Sequence, residues 1–255
     1  MQGVKREMAA KEMASMLVNS NRSEAVRTLQ AVGFLQVLFP EVSALVGVEQ
    51  GNLHQEGDAF EHTCLVLSAL QDPSVTLAFA ALLHDTGKVE TQAAKGEGFS
   101  FHKHEEVSVR LAEEAFNRLR LSVAGVEKER LLFLVENHMR VRRLPEMKAS
   151  KQVALFRSPF FPELLALLKA DDMGSLPVRD SHSKVEALYA SYLAQGDLSP
   201  KVLGLDGGTL MRELNLRPGP LVGQLKRHLD EVLQENPGMD REGLLEEGRK
   251  FLSQS

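Results

Sequence analysis

The sequence predicts an all-α protein, and three observations lead there. Apolar residues recur three and four positions apart in almost every segment. No segment shows the apolar–polar alternation of a strand. Capping and breaking residues stand where helices of ordinary length would begin and end. Taken in order, residues 5–18 and 23–32 are amphipathic, and Gly33 is placed to close the second helix. Asp58 can cap a helix that runs to about Gln71. Asp72-Pro73 then opens the next, with proline at the first helical position. That helix, 73–84, carries the longest apolar run, Leu77 to Leu83, and stops near Gly87. A loop with Gly96 and Gly98 follows, then a helix over 104–119. Residues 126–139, 161–172, 183–194, 218–234 and 240–252 show the same period, with Pro220 near the first position of its helix. Glycine and proline clusters at Gly47–Gly51 and Gly196–Pro200 suggest three packed parts. These are an N-terminal helical segment (1–50), a central domain (51–196) and a C-terminal helical tail (197–255).

Composition narrows the function. The chain has 255 residues, 30 Lys+Arg against 35 Asp+Glu, and a net charge of -5. That length is ample for a buried core, and 43% hydrophobic with 25% charged residues is a globular mix. An acidic total argues against a protein that coats nucleic acid, since neutralising phosphates needs a basic surface. With no Trp and 2 Tyr, a stacking platform for single strands is poorly supplied. A single cysteine, Cys64, excludes an internal disulfide framework and a cysteine zinc site. It reads as a small buried apolar residue. The first residues are charged throughout, unlike a signal peptide, and the run Leu77 to Leu83 is too short to span a bilayer. The expectation is a cytoplasmic protein with no membrane partner.

The main signal is the placement of histidine and aspartate. His84-Asp85 closes an apolar helix, where buried polar groups must be paired or must bind something. His62 lies within another apolar helix, His104 opens the next long one, and His138 and Asp171 each follow an apolar stretch. Five helical segments thus present an imidazole or carboxylate at or near the end of an apolar face. Facing helices of a bundle build metal sites in this way. Neutral imidazoles with carboxylates suit one or two divalent ions, such as Mn, Fe, Co, Ni or Zn, and can admit Mg.

The order His62, His84-Asp85, His104, His138, Asp171 resembles the HD superfamily of metal-dependent phosphohydrolases. The segments EGDAFEHTCLVL, LLHDTGKVET, FSFHKHEEVSVRLAEEAFNRLRLS and KADDMGS resemble the HD-containing C-terminal part of bacterial tRNA nucleotidyltransferases and poly(A) polymerases. RTLQAVGFLQVLFPEV and GLDGGTLMRELNLRPGPLVGQLKRHL resemble the flanks of that part, so the likeness runs from about residue 20 to 252. It implies an HD helical bundle with helical flanks on both sides. In that family a nucleotidyltransferase head with paired metal-binding carboxylates precedes these parts. Nothing before Arg22 matches it, so nucleotide addition by this chain alone is not expected. Two positions depart from the family pattern. Lys103 stands where glycine is frequent, and Ser175 where arginine is common.

Carried over residue by residue, the resemblance implies that His62, His84, Asp85 and Asp171 hold one ion. If a second binds, Asp85 bridges, and His104 and His138 complete its site. Asp171 is preferred to its neighbour Asp172 because the Ala-Asp-x-x-Gly register fits the family. His84, Asp85 and Lys88 are the expected catalytic group. The stretch Met139 to Arg157 holds six basic residues and one acidic one, Glu146. Of these, Arg140, Arg142 and Arg143, with Lys88, are the candidate phosphate contacts; the plainer reading of the run is a solvated face. His54 and His102 could serve as proton donors, though a surface role is the plainer reading for each. The expected substrate is a nucleotide or other phosphate ester, or an RNA end, hydrolysed as by a 2′-nucleotidase, 2′,3′-cyclic phosphodiesterase or phosphatase. The alternative is a non-catalytic module that binds tRNA or a separately encoded nucleotidyltransferase head. Against it, residues 197–255 hold 8 basic and 10 acidic residues, a poor surface for RNA.

Overall fold

The computed structural model describes residues 5–50, 57–96, 98–195, 203, 205–236 and 238–253. The described residues are all-α apart from one two-stranded hairpin and an isolated antiparallel bridge between Glu49 and Asp58, and the chain divides into two compact units. The first comprises residues 1–143 and 160–186; the second comprises 144–159 and 187–255.

In the first unit, helix Val75–Leu83 is buried on every face, as its sequence VTLAFAALL demands. It starts two residues later than the Asp72-Pro73 pair suggests. Ser74 is the cap, its hydroxyl accepting from Leu77 N at 3.1 Å, while Asp72 takes a left-handed turn conformation. Proline supplies no cap acceptor, so the serine after it decides the start. Helix Ala59–Ala69 begins as predicted at Asp58, whose carboxylate accepts from Glu61 N at 2.9 Å. It packs on helix Arg22–Ala31 and on helix Phe161–Met173. Helices Val75–Leu83 and His104–Leu119 both pack on helix Lys128–Arg142. Gly33 lies in the left-handed region just past helix Arg22–Ala31, where a helix end favours glycine.

Arg22 ties three helices together. Its buried guanidinium donates to the carbonyls of Leu17 and Val18 at the end of helix Arg6–Val18. It also donates to those of Leu67 and Leu70 at the end of helix Ala59–Ala69. One cation thereby satisfies carbonyls that two helix C-termini leave unpaired.

The segment with Gly96 and Gly98 is more than a loop. Gln92–Lys95 and Gly98–Phe101 pair antiparallel, with Gln92 opposite Phe101 and Ala94 opposite Phe99. A four-residue strand is too short to display a readable alternation, so the hairpin escapes a pattern search.

The second unit has its own core. Leu225, Leu229 and Leu233 recur every four residues along helix Pro220–Glu235 and bury against Leu210 and Leu244. Pro220 sits in the first turn of that helix, as the sequence suggests. Phe156 packs against Tyr189 and Tyr192, with ring centroids 5.4 and 5.3 Å away. Helix Ala149–Phe156 was not anticipated, because the basic run masks its short apolar face.

Candidate metal and phosphate site

All six sequence-selected histidines and aspartates lie in the first unit, and all are buried. Helix Ala59–Ala69 supplies His62; His84 and Asp85 follow the end of helix Val75–Leu83. His104 is the first residue of its helix, His138 lies one turn from the end of helix Lys128–Arg142, and Asp171 lies in the last turn of helix Phe161–Met173. Asp85 is the hub. Its Oδ2 is 3.2 Å from His84 Nε2 and 3.5 Å from His62 Nε2. Its Oδ1 is 3.1 Å from His104 Nε2 and 3.6 Å from His138 Nε2. Asp171 Oδ1 lies 3.2 Å from His62 Nε2.

The other nitrogen of every ring faces a backbone carbonyl. His62 Nδ1 donates to Gly174 O at 3.3 Å and His84 Nδ1 to Ala81 O at 2.9 Å. His104 Nδ1 donates to Phe101 O at 2.9 Å and His138 Nδ1 to Val135 O at 2.6 Å. A carbonyl can only accept, so each Nδ1 carries a proton, and in the neutral form of a ring its Nε2 lone pair is the one turned toward Asp85. Metal-binding histidines are oriented in this way. His84 Nε2 is buried and makes no hydrogen bond among the described residues. His104 Nε2 and His138 Nε2 face each other at 3.1 Å. Two lone pairs at that distance repel unless a cation or proton lies between them. Two donor groups thus form, His62–His84–Asp85 and Asp85–His104–His138, sharing one carboxylate. The donor set fits divalent first-row ions.

Electrostatics support a charged centre. Burial pushes the Asp85 carboxyl up, but His84, Lys88, His104 and His138 outweigh it and hold the group well below the usual carboxylate range. Burial likewise opposes ionisation of Asp171, and His62, Arg142 and His84 overcome it. Burial pushes the His138 pKa down, which keeps that imidazole neutral. Burial would lower His84 too, but the adjacent Asp85 carboxylate prevails and raises it.

The two vicinal aspartates separate cleanly. Asp171 faces His62, whereas the fully buried Asp172 faces away and accepts from Arg142, from His182 N at 2.8 Å and from His182 Nδ1 at 3.1 Å. Arg142 joins them, with Nη2 2.6 Å from Asp171 Oδ2 and Nη1 2.6 Å from Asp172 Oδ1. Lys88 is buried, with its Nζ 2.7 Å from Asp85 Oδ2 and donating to Gln50 Oε1.

A cavity of about 260 Å³ opens on these groups, lined by His62, Asp85, Lys88, His104, Arg142 and Asp171 among others. Arg140 and Arg143 are exposed and outside its lining. At 100° per residue, Arg142 falls on the same helix face as His138 four positions earlier, and Arg140 points away. Lys148, Lys151 and Arg157 belong to the second unit, where Arg157 pairs with Asp230 at 3.1 Å. His102 is exposed, and His54 lies outside the described residues.

Sequence reasoning missed Gln50, Ser108, Arg179 and His182. Ser108 Oγ accepts from Gly87 N at 2.9 Å and pins the turn after Asp85 to helix His104–Leu119. Arg179 lines the cavity. Only His182 carried a sequence signal, as an unassigned histidine eleven residues after Asp171.

Residues 59–173 match the HD domain family. The chain is 34% identical over 254 residues to the CC-adding tRNA nucleotidyltransferase of Thermus thermophilus, covering 97% of this chain and 56% of that protein. It is 30% identical to the A-adding tRNA nucleotidyltransferase of Deinococcus radiodurans, covering 94% of this chain and 56% of that protein. It is also 36% identical over 176 residues to the Multifunctional CCA protein of Dechloromonas aromatica, covering 65% of this chain and 42% of that protein. The chain spans about half the length of these relatives. No helix among the described residues is long and apolar enough to cross a membrane.

Proposed function

We propose that this chain is a metal-dependent phosphohydrolase, since residues 59–173 match the HD domain family within a chain similar to tRNA nucleotidyltransferases. Its substrates are phosphate esters of nucleotides or RNA ends. The observation that carries the reading is the convergence of four carbonyl-oriented imidazoles on Asp85, beside a cavity lined by three basic side chains, Lys88, Arg142 and Arg179.

His62, His84, Asp85 and Asp171 would hold one divalent ion, and Asp85, His104 and His138 a second. A bound ion lowers the pKa of a water and polarises a phosphoryl oxygen. The protein's own residues do the rest. The backbone carbonyls fix each ring's tautomer, so the donors need no rearrangement. Lys88 has three N–H donors, of which Asp85 and Gln50 take two, and the third serves the substrate phosphate. Arg142, anchored on both Asp171 and Asp172, presents a fixed positive charge to the same cavity. Arg179 is a further phosphate contact at the lining.

The test is direct. Bound metal is measured on the purified protein, and hydrolysis of 2′-, 3′- and 5′-nucleotides and 2′,3′-cyclic nucleotides is followed with Mn, Ni, Co and Mg. We expect metal-dependent hydrolysis that falls at least a thousandfold in Asp85→Ala, because that change removes the ligand both donor groups share. Identical behaviour of wild type and Asp85→Ala on every ester would sink the reading.

A second reading has its own support. Similarity to tRNA nucleotidyltransferases extends well beyond residues 59–173, which favours a role alongside tRNA or a nucleotidyltransferase head. Binding of tRNA that survives Asp85→Ala would support that module.

A further inference from the structure

Two kinds of surface line the cavity. One is ionic, carried by Asp85, Lys88, His104 and Arg142; the other is apolar, carried by Phe99, Phe101 and Met139. The apolar part comes from the hairpin. Strand side chains alternate, so Phe99 and Phe101 of strand Gly98–Phe101 project to one side. Both rings are half-buried, and neither completes its packing in the core. Phe101 is held in place by Lys88, whose Nζ stands 5.5 Å from its ring centroid. The same Nζ lies 2.7 Å from Asp85, so the aromatic wall is one side chain away from the metal donors.

A site for inorganic phosphate or polyphosphate has no use for flat apolar faces beside its cations. The lining calls for a ligand with an anionic group at one end and a flat apolar group at the other. About 260 Å³ falls just below the range of ordinary ligand pockets, so the ligand is a small one. We propose that Phe99 and Phe101, with Met139, form the base-binding wall of the site, making the hairpin the element that selects nucleoside phosphates. The inference rests on the phosphohydrolase reading and adds a specificity determinant to it. Stacking accepts any base, because every base has a π-face. The wall therefore distinguishes nucleotides from other esters and does not discriminate among bases.

The experiment is equilibrium binding by calorimetry, on the full chain. The probes are adenosine 2′-, 3′- and 5′-monophosphate, with ribose 5-phosphate as the baseless control. Wild type is compared with Phe99→Leu, which keeps apolar volume without a π-face, and with Phe99→Tyr, which keeps the ring. We expect at least one adenosine monophosphate to bind more tightly than ribose 5-phosphate. Phe99→Leu should weaken that nucleotide about tenfold, Phe99→Tyr should restore it, and ribose 5-phosphate should bind all three proteins alike. Equal binding of nucleotide and ribose phosphate to wild type overturns the proposal, as does binding of neither. An equal loss for both ligands in Phe99→Leu overturns it as well. Hydrolysis is scored separately: nucleotide binding with this Phe99 dependence but no turnover of any ester would reject the hydrolase reading and leave the base wall standing.

Discussion

At the scale of single residues, the site depends on which nitrogen of each imidazole keeps its proton. Four carbonyls take the four Nδ1 protons, and the Nε2 atoms are left for a cation. Asp85→Asn should weaken binding of Mn by more than tenfold in equilibrium dialysis, since it removes the charge the imidazoles surround; unaltered affinity would contradict the assignment. The titration behaviour has a definite sign. His84 is raised by Asp85, so its contribution to stability is full below about pH 6.5 and is lost as pH rises through its folded value. Asp171 is depressed, so its contribution is full above about pH 4 and is lost as pH falls toward its folded value. Metal-free protein should therefore lose melting temperature on both sides of that window. Metal-loaded protein should hold its stability better on the alkaline side, because a ligating His84 must be neutral. Calorimetry with chelator across pH 3 to 8.5 reads both flanks, and the same scan with Mn above pH 5.5 reads the alkaline one. Cys64 is separate from this chemistry. Burial pushes its thiol up to about 12, so it should resist alkylation at pH 8 until the chain unfolds.

Among elements, a few close approaches hold the site in register. A Cβ on Gly87 would run into the His104 carbonyl oxygen and stand 2.8 Å from Ser108 N. Gly87→Ala should cost about 1–3 kcal/mol in urea unfolding and weaken metal binding, because it separates the Asp85 turn from His104. Arg22→Met should cost about 3 kcal/mol, since it strands carbonyls at the ends of helices Arg6–Val18 and Ala59–Ala69. A loss under 1 kcal/mol would show that water satisfies them instead. Lys103 caps helix His104–Leu119 in a left-handed conformation, φ 61 and ψ 28. Glycine, the residue the family resemblance favours at this position, adopts that conformation without a Cβ penalty. Lys103→Gly should raise the melting temperature by about 2 °C. The long helices were legible in the sequence, because Asp58 and the run Leu77 to Leu83 declare themselves locally. The hairpin and the true cap at Ser74 were not, since the first is too short for a period and the second competed with a neighbouring proline.

For the whole molecule, an ion bound to folded but not unfolded chain adds stability by mass action. At a hundred times its dissociation constant the gain is about 2.7 kcal/mol. Mn should therefore raise the melting temperature by about 5–10 °C, and a chelator should reverse it. No shift would mean that the donor cluster is only a structural hydrogen-bond centre. The sequence by itself determined the helical class, the six candidate donors and their distribution over separate helices. Helical period and residue chemistry are local properties, and the order of His62, His84, Asp85, His104, His138 and Asp171 is written directly in the chain. Only the tertiary structure decided that Asp85 is the hub and that Asp171 faces His62 while Asp172 faces His182. It also decided that Arg142 reaches the cavity while Arg140 and Arg143 do not, and that Phe99 and Phe101 stand beside the donors. Those choices depend on which faces of distant helices meet, and neighbouring residues on one helix differ in direction by 100°.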